Sequence, residues 1–254
     1  MLPAARPTRP PCVYPAQVRA IRREGHFGVR LETDAGLVIH TRAAVIALPP
    51  SLATAPGRGL LREEDLEPGL LAASRGCPVW MGATVKVVAV YTKPFWRDQG
   101  LNGAAVCRGR GGRLPLSEIH DMSGPDGKPG MLLGFGQGAS RWDDGGEERP
   151  PPLTEERVIE QLVELYGPEA NAPVRVIIKD WSREDYTSPP GVHTLTDYDH
   201  FGSPALQAPA WDGTLFWAST ETSAIAGGHI EGALAAAERT VEAIRQRLQP
   251  QPPP

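Results

Sequence analysis

Gly213-Thr-Leu-Phe-Trp-Ala-Ser-Thr-Glu-Thr-Ser-Ala-Ile-Ala-Gly-Gly-His-Ile-Glu-Gly-Ala-Leu-Ala-Ala-Ala-Glu-Arg239 reads as a short strand, a turn and a helix. Leu215 to Ala218 is an apolar run after Asp212-Gly213, as a buried strand should be. Gly227-Gly228 opens the helix, and Ile230, Ala233, Leu234, Ala237, Val241, Ile244 and Leu248 then recur at helical spacing on one stripe. A strand feeding a glycine-opened helix brings a helix N-terminus against an anion, because free N–H groups and the positive dipole end both favour negative charge there. Spacing alone favours an ordinary strand–loop–helix unit.

Working outward, 254 residues suffice for one large domain or two modest ones. A net charge of -4 gives no sign of a nucleic-acid partner. Arg108, Arg110 and Arg113 sit among glycines and read as a solvated loop. Cys12, Cys77 and Cys107 are odd in number and lack CxxC spacing, so neither a disulfide framework nor a zinc site is indicated, and a reducing, cytoplasmic compartment is expected. The six histidines show no metal spacing, and Asp197, Asp199 and His200 read as a turn. No apolar run reaches membrane-span length, and Met1 to Pro11 has no signal-peptide core. There is no G-x-S-x-G elbow, no P-loop and no internal repeat.

In chain order, residues 1–12 are rich in Pro and Arg and read as disordered. Val18 to Ile21, Phe27 to Thr33 and Leu37 to His40 predict short antiparallel strands turning at Glu24-Gly25 and Asp34-Ala35-Gly36. Ala43 to Leu48 is a continuous apolar run ending at Pro49-Pro50, which predicts a buried strand. Residues 51–75 read as loop and short helix. Trp80 to Tyr91 predicts a β-branched strand carrying Lys86 in its middle, where an ammonium needs a partner, an edge position or a purpose. Gly134-Phe-Gly-Gln-Gly-Ala139 spells G-x-G-x-x-A, but a loop rather than a helix follows it, so it is not a dinucleotide fingerprint. Thr154 predicts the N-cap of a helix ended by Gly167-Pro168, and Val174 to Lys179 predicts a strand.

Ser219-Thr-Glu-Thr222, Gly228-His-Ile-Glu-Gly-Ala233 and Ala237-Glu-Arg239 together resemble the C-terminal flavin motif of the FAD-dependent amine oxidases, the group of monoamine, polyamine and L-amino-acid oxidases. "Val-Ile-Ala-Leu-Pro-Pro" after the meander, "Met-Gly-x-x-x-Lys" before "Pro-Phe-Trp", and Trp181-Ser-Arg-Glu-Asp-Tyr186 are similar to the same family, so the likeness runs from about residue 13 to 248. The resemblance implies that Ser219, Thr220, Glu221, Gly228, His229 and Ile230 lie against FAD, with backbone near Val13 at the adenine. Ser219 stands where the family usually has Gly, and its Cβ would crowd the phosphates. Lys86 matches the lysine that holds a water beside flavin N5, and Trp181 the tryptophan beside it. His193 and His229 fall at the two walls of the family's aromatic substrate cage. Imidazoles there would hydrogen-bond a polar substrate when neutral and repel a cationic amine when charged. Val192 stands where some members bond flavin through cysteine, so non-covalent FAD is expected.

The fold class expected is α/β with mixed α+β character. Residues 13–50 and 212–249 would form a partial FAD-binding lobe, residues 51–211 a mixed-sheet substrate lobe, and 250–254 a Pro-rich tail. The implied activity is oxidation of a small-molecule amine to an imine by FAD, with O₂ reduced to hydrogen peroxide. The family's opening strand–GxGxxG–helix unit has no counterpart here, so the chain reads as N-terminally truncated. The sheet that would cover Val45 to Leu48 and the last helix is then missing, which favours a homo-oligomer or a second chain supplying that unit. Two alternatives stay open: a fragment or partner subunit that binds no FAD alone, and another flavoprotein such as a desaturase or porphyrinogen oxidase, against which Lys86 argues.

Overall fold

Val18–Glu24 (β1), Gly28–Thr33 (β2) and Val38–Thr41 (β3) form the expected antiparallel meander, with Ile21 opposite Leu31 and Leu31 opposite Ile39. This computed structural model describes residues 16–25, 28–79, 81–108, 114–137, 153–188 and 199–249. Ala44–Ile46 (β4) follows, shorter than the apolar run that encodes it. Its Val45 is 46% exposed, because only one side of the strand faces the core. Pro50–Ala53 (α1) and Pro68–Gly76 (α2) each begin on a proline, whose fixed φ and missing N–H suit a first helical turn.

Thr84–Tyr91 (β5) is the centre of the larger sheet. Val85, Val87, Ala89 and Tyr91 are buried, while Lys86 lies on the opposite, half-buried face. Phe95–Asp98 (α3), Ala105–Val106 (β6), Glu118–Asp121 (β7) and Gly130–Gln137 (β8) follow. Glu155–Tyr166 (α4) starts where Thr154 Oγ1 accepts from the Arg157 N–H at 3.4 Å, and ends at Gly167 with φ 86°. Arg175–Asp180 (β9) completes an antiparallel sheet of order β6-β7-β8-β5-β9. Pro204–Gln207 (α5) leads to Leu215–Trp217 (β10), which pairs in parallel with β4, Phe216 opposite Val45. Ile230–Leu248 (α6) is the last helix.

Two cores result. In one, Ile21, Val29, Ile46, Leu70, Leu215 and Trp217 pack the meander, α2 and the β4–β10 pair together. In the other, Val158, Leu162 and Tyr166 of α4 cover Val87, Ala89 and Leu132 of the large sheet. Gln161 of α4 is buried and satisfied by the Leu116 backbone, accepting from its N–H and donating to its carbonyl, both at 2.8 Å. The glycines of the G-x-G-x-x-A stretch have a packing reason. A Cβ on Gly134 would stand 2.6 Å from Leu116 Cδ1, and one on Gly136 2.5 Å from the Pro115 carbonyl. They sit in β8, on the buried face; residues 138 and 139 lie outside the described residues.

The apolar stripe of α6 faces the other way from the fold. Gly232, Ala236 and Thr240 are its buried side, while Ile230, Leu234 and Val241 are 82%, 56% and 48% exposed. Small side chains let the helix lie close on the strand end beneath it. Arg239 donates to the Trp217 and Thr222 carbonyls at 2.7 Å each, and Thr240 Oγ1 to the Trp217 carbonyl at 2.9 Å. No helix among the described residues is long and apolar enough to cross a membrane.

Candidate active site

Beyond β10 the chain enters the tight turn Thr220–Thr222, stabilised where Thr222 Oγ1 donates to the Ser219 carbonyl at 2.7 Å. Thr220 Oγ1 donates to the His229 carbonyl at 2.7 Å and so latches the turn to the start of α6. Gly228 has φ 81°, a left-handed conformation costly for other residues. His229 then adopts extended backbone and gives no side-chain cap, so the first turn of α6 offers its N–H groups outward. Gly232 closes the unit. A Cβ there would meet the Ala226 carbonyl oxygen at 2.3 Å and Thr220 Oγ1 at 2.8 Å. Ser219, Thr220, Glu221, Gly228, His229 and Ile230 are thereby brought to one place. Gly232 and Arg239, which hold them there, have no role in the sequence reading, although the Gly228–Gly232 spacing is a visible signal.

Ser219 and Glu221 are 6% and 5% exposed, and Ser219 Oγ, Glu221 Oε2 and Trp217 Nε1 are buried with no hydrogen-bond partner among the described residues. Burial pushes the Glu221 carboxyl above its ordinary range. A buried ionised carboxylate without a partner is costly, and a protonated one is a hydrogen-bond donor. Cys77, 1% exposed, is pushed up to about 12 by burial and by the Glu221 charge. An uncapped helix N-terminus and the Ser219 hydroxyl together offer donors to anionic oxygens. This donor set suits the phosphate oxygens of a bound cofactor.

On the large sheet, Lys86 stands opposite Phe135 of β8 and Lys179 of β9. The Lys86 side chain makes no hydrogen bond or ion pair among the described residues. Lys179 pairs with Glu184, and its Nζ lies 5.3 Å from the Trp181 ring centroid. Trp181 opens the turn Trp181–Arg183 directly after β9, where Asp180 accepts from the Ser182 N–H at 3.0 Å. Ser188 Oγ donates to the Trp181 carbonyl at 2.7 Å. The structure thus places Lys86 on β5 and Trp181 in the turn that follows the neighbouring strand β9.

Val13 and His193 lie outside the described residues. His229 is exposed, with Nδ1 3.1 Å from the Gly227 carbonyl. A cavity of about 660 Å³ opens between the meander and the segment after Trp181, lined by Gln17, Arg19, Leu48, Leu52, Arg58 and Tyr186. Tyr186 donates to Gln17 Oε1 at 3.1 Å, and Arg58 pairs with Asp185 at 2.8 Å, bridging its two walls. Gln17 and Arg58 carry no motif that marks them in the sequence.

The family model for flavin containing amine oxidoreductases matches residues 14–245. The probable flavin-containing monoamine oxidase A of Dictyostelium discoideum is 28% identical over 243 residues, covering 92% of this chain and 48% of its own length. The flavin-containing amine oxidase B of Rattus norvegicus is 31% identical over 176 residues, 65% of this chain and 31% of its own. Among solved structures, cyclohexylamine oxidase from Brevibacterium oxydans IH-35A superposes with a TM-score of 0.67 at 26% identity, over 91% of this chain and 48% of that one. The chain spans about half the length of the Dictyostelium relative and of this oxidase.

Proposed function

The chain belongs to the flavin-containing amine oxidoreductase family, and from that premise we propose that it oxidises a small-molecule amine to an imine, with non-covalent FAD and O₂ as electron acceptors. The observation that supports this reading most is the latched turn with buried, partnerless Ser219 Oγ and Glu221 Oε2 beside the uncapped start of α6. Ser219, Thr220, Glu221, Gly228, His229 and Ile230 would hold the cofactor, with Val13 backbone at its far end. When bound, FAD supplies a hydride acceptor for the amine's α-carbon and a route for the electrons to O₂, which leaves as hydrogen peroxide.

The protein's own residues do the rest. The α6 N-terminus stabilises negative charge near it. The unpaired Lys86 ammonium would hold a water on the sheet face, with Trp181 beside the neighbouring Lys179. His193 and His229 would flank the amine and, while neutral, hydrogen-bond it. The imine needs only water for its hydrolysis.

Lys86→Met tests this assignment. Followed by rapid mixing at the flavin absorption band, reoxidation by O₂ should slow on the order of tenfold while reduction by amine holds. Equal slowing of both steps would remove the role given to Lys86.

A second reading is favoured by the exposed stripe Ile230, Leu234 and Val241 with Val45. On it, the chain works as one part of an assembly, as a homo-oligomer or beside a second chain bearing a dinucleotide-binding unit. Sedimentation of the purified chain over a concentration series separates a self-associating species from a monomer awaiting another partner.

A further inference from the structure

The outward side of α6 carries a regular row. Ile230, Leu234, Ala237, Val241, Ile244 and Leu248 follow one another at alternating steps of four and three residues. All but the half-buried Ile244 are exposed. Gly232, Ala236 and Thr240 meet the fold from the other side of the helix, so the row is turned away from it. Apolar residues in a strict heptad form the seam of a paired helix. In heptad terms Leu234, Val241 and Leu248 take the a positions, and Ile230, Ala237 and Ile244 the d positions.

The flanks of the seam carry the charge. The e positions are Glu231, Glu238 and Arg245, and the g positions are Ala233, Thr240 and Arg247. Glu231, Glu238 and Arg245 are exposed, and their side chains make no hydrogen bond or ion pair among the described residues. Two such helices laid antiparallel stack a positions on d positions. Leu248 then meets Ile230 of a second copy, Ile244 meets Leu234, and Val241 meets Ala237, each pair occurring twice. In that register e faces e, so Glu231 meets Arg245 of the second copy at both ends, and Glu238 meets its own counterpart in the middle. A parallel pair sets e against g instead. Glu238 would then face Ala233, and Arg245 would face Thr240, with no opposite charges joined. The antiparallel pair also puts each helix N-terminus beside the other's C-terminus, where the dipoles attract.

We propose that a second copy of this chain docks along this seam, α6 against α6, antiparallel across a two-fold axis. This rests on the reading of the chain as one part of an assembly, and it gives that reading a surface and a partner. One patch must match itself in an isologous interface, and the Glu231–Arg245 pattern does so. The helix has 19 residues and is about 28 Å long at the rise of an α-helix. One helix pair of that length falls at the low end of interface sizes, below the roughly 800 Å² per partner of a standard complex. A reversible dimer at micromolar concentrations is therefore expected, weakened at its centre by the facing Glu238 carboxylates.

Sedimentation equilibrium of the full chain without FAD, over a series reaching about 200 µM, tests the pairing. The parent chain should show a monomer–dimer equilibrium. Glu231→Arg and Arg245→Glu should each weaken the dimer on the order of tenfold, because each sets like charges at both ends. The double variant should restore it, a rescue that loss of helix stability cannot produce. Glu238→Gln should tighten it. Circular dichroism of each variant confirms that the fold is intact. A dimer indifferent to all these charges would overturn the helix pairing and leave the assembly reading standing. A chain monomeric throughout the series would overturn the pairing and the homo-oligomer together.

Discussion

Glu221 carries its carboxyl into a position 5% exposed, beside Cys77 and with one oxygen unsatisfied. Burial raises its folded pKa above the unfolded value of about 4.3. The sign follows: this group's contribution is most favourable below about pH 4, and stability is lost as pH rises through the folded value. Glu221→Gln removes the ionisation. Thermal unfolding of the FAD-free chain should show the variant gaining a few degrees over the parent at pH 7, with the gap closing toward pH 4. The same variant should hold FAD more weakly, a cost of function against stability. The motif made Glu221 and Ser219 legible in the sequence. Nothing made Asp121 legible. Burial would raise its carboxyl, but hydrogen bonds from Arg97, Ser123 and Trp96 outweigh that and hold it well below the usual range. Two of those partners lie 24 and 25 residues away in the chain, beyond any local pattern.

At the scale of elements, periodicity served where one face meets water and failed where both neighbours were unknown. The meander, α4 and the lysine strand β5 stand where alternation, capping and turn residues predict them. The orientation of α6 was not legible. Its apolar stripe is exposed, and its contacts are made by Gly232, Ala236, Arg239 and Thr240, which no hydrophobic pattern singles out. Gly232 shows what governs there. Alanine is the better helix former by about 1 kcal/mol, yet a Cβ would stand 2.3 Å from the Ala226 carbonyl. Gly232→Ala should therefore destabilise the chain by about 1–3 kcal/mol and loosen the Thr220–His229 latch. Gly69, early in α2 with no atom within 4 Å of its missing Cβ, is the contrast. Gly69→Ala should stabilise by about 0.5–1 kcal/mol, and denaturant unfolding of the pair measures both.

The whole molecule joins a strand–turn–helix unit with donors facing outward to a sheet whose open face carries Lys86. Both parts were legible because each rests on a short motif with local geometry. The link between the meander side and the segment after Trp181 was not, since Gln17–Tyr186 and Arg58–Asp185 span 169 and 127 residues. Ile230 and Leu234, exposed apolar side chains, lie in the first two turns of α6, so cofactor retention and association are expected to be linked. The visible absorption spectrum of the purified chain, taken with and without added FAD after gel filtration, tests the central claim that the turn and helix around 219–230 hold the flavin. A structured flavin spectrum that stays with the protein is the predicted result, and flavin that separates completely from the chain would contradict it.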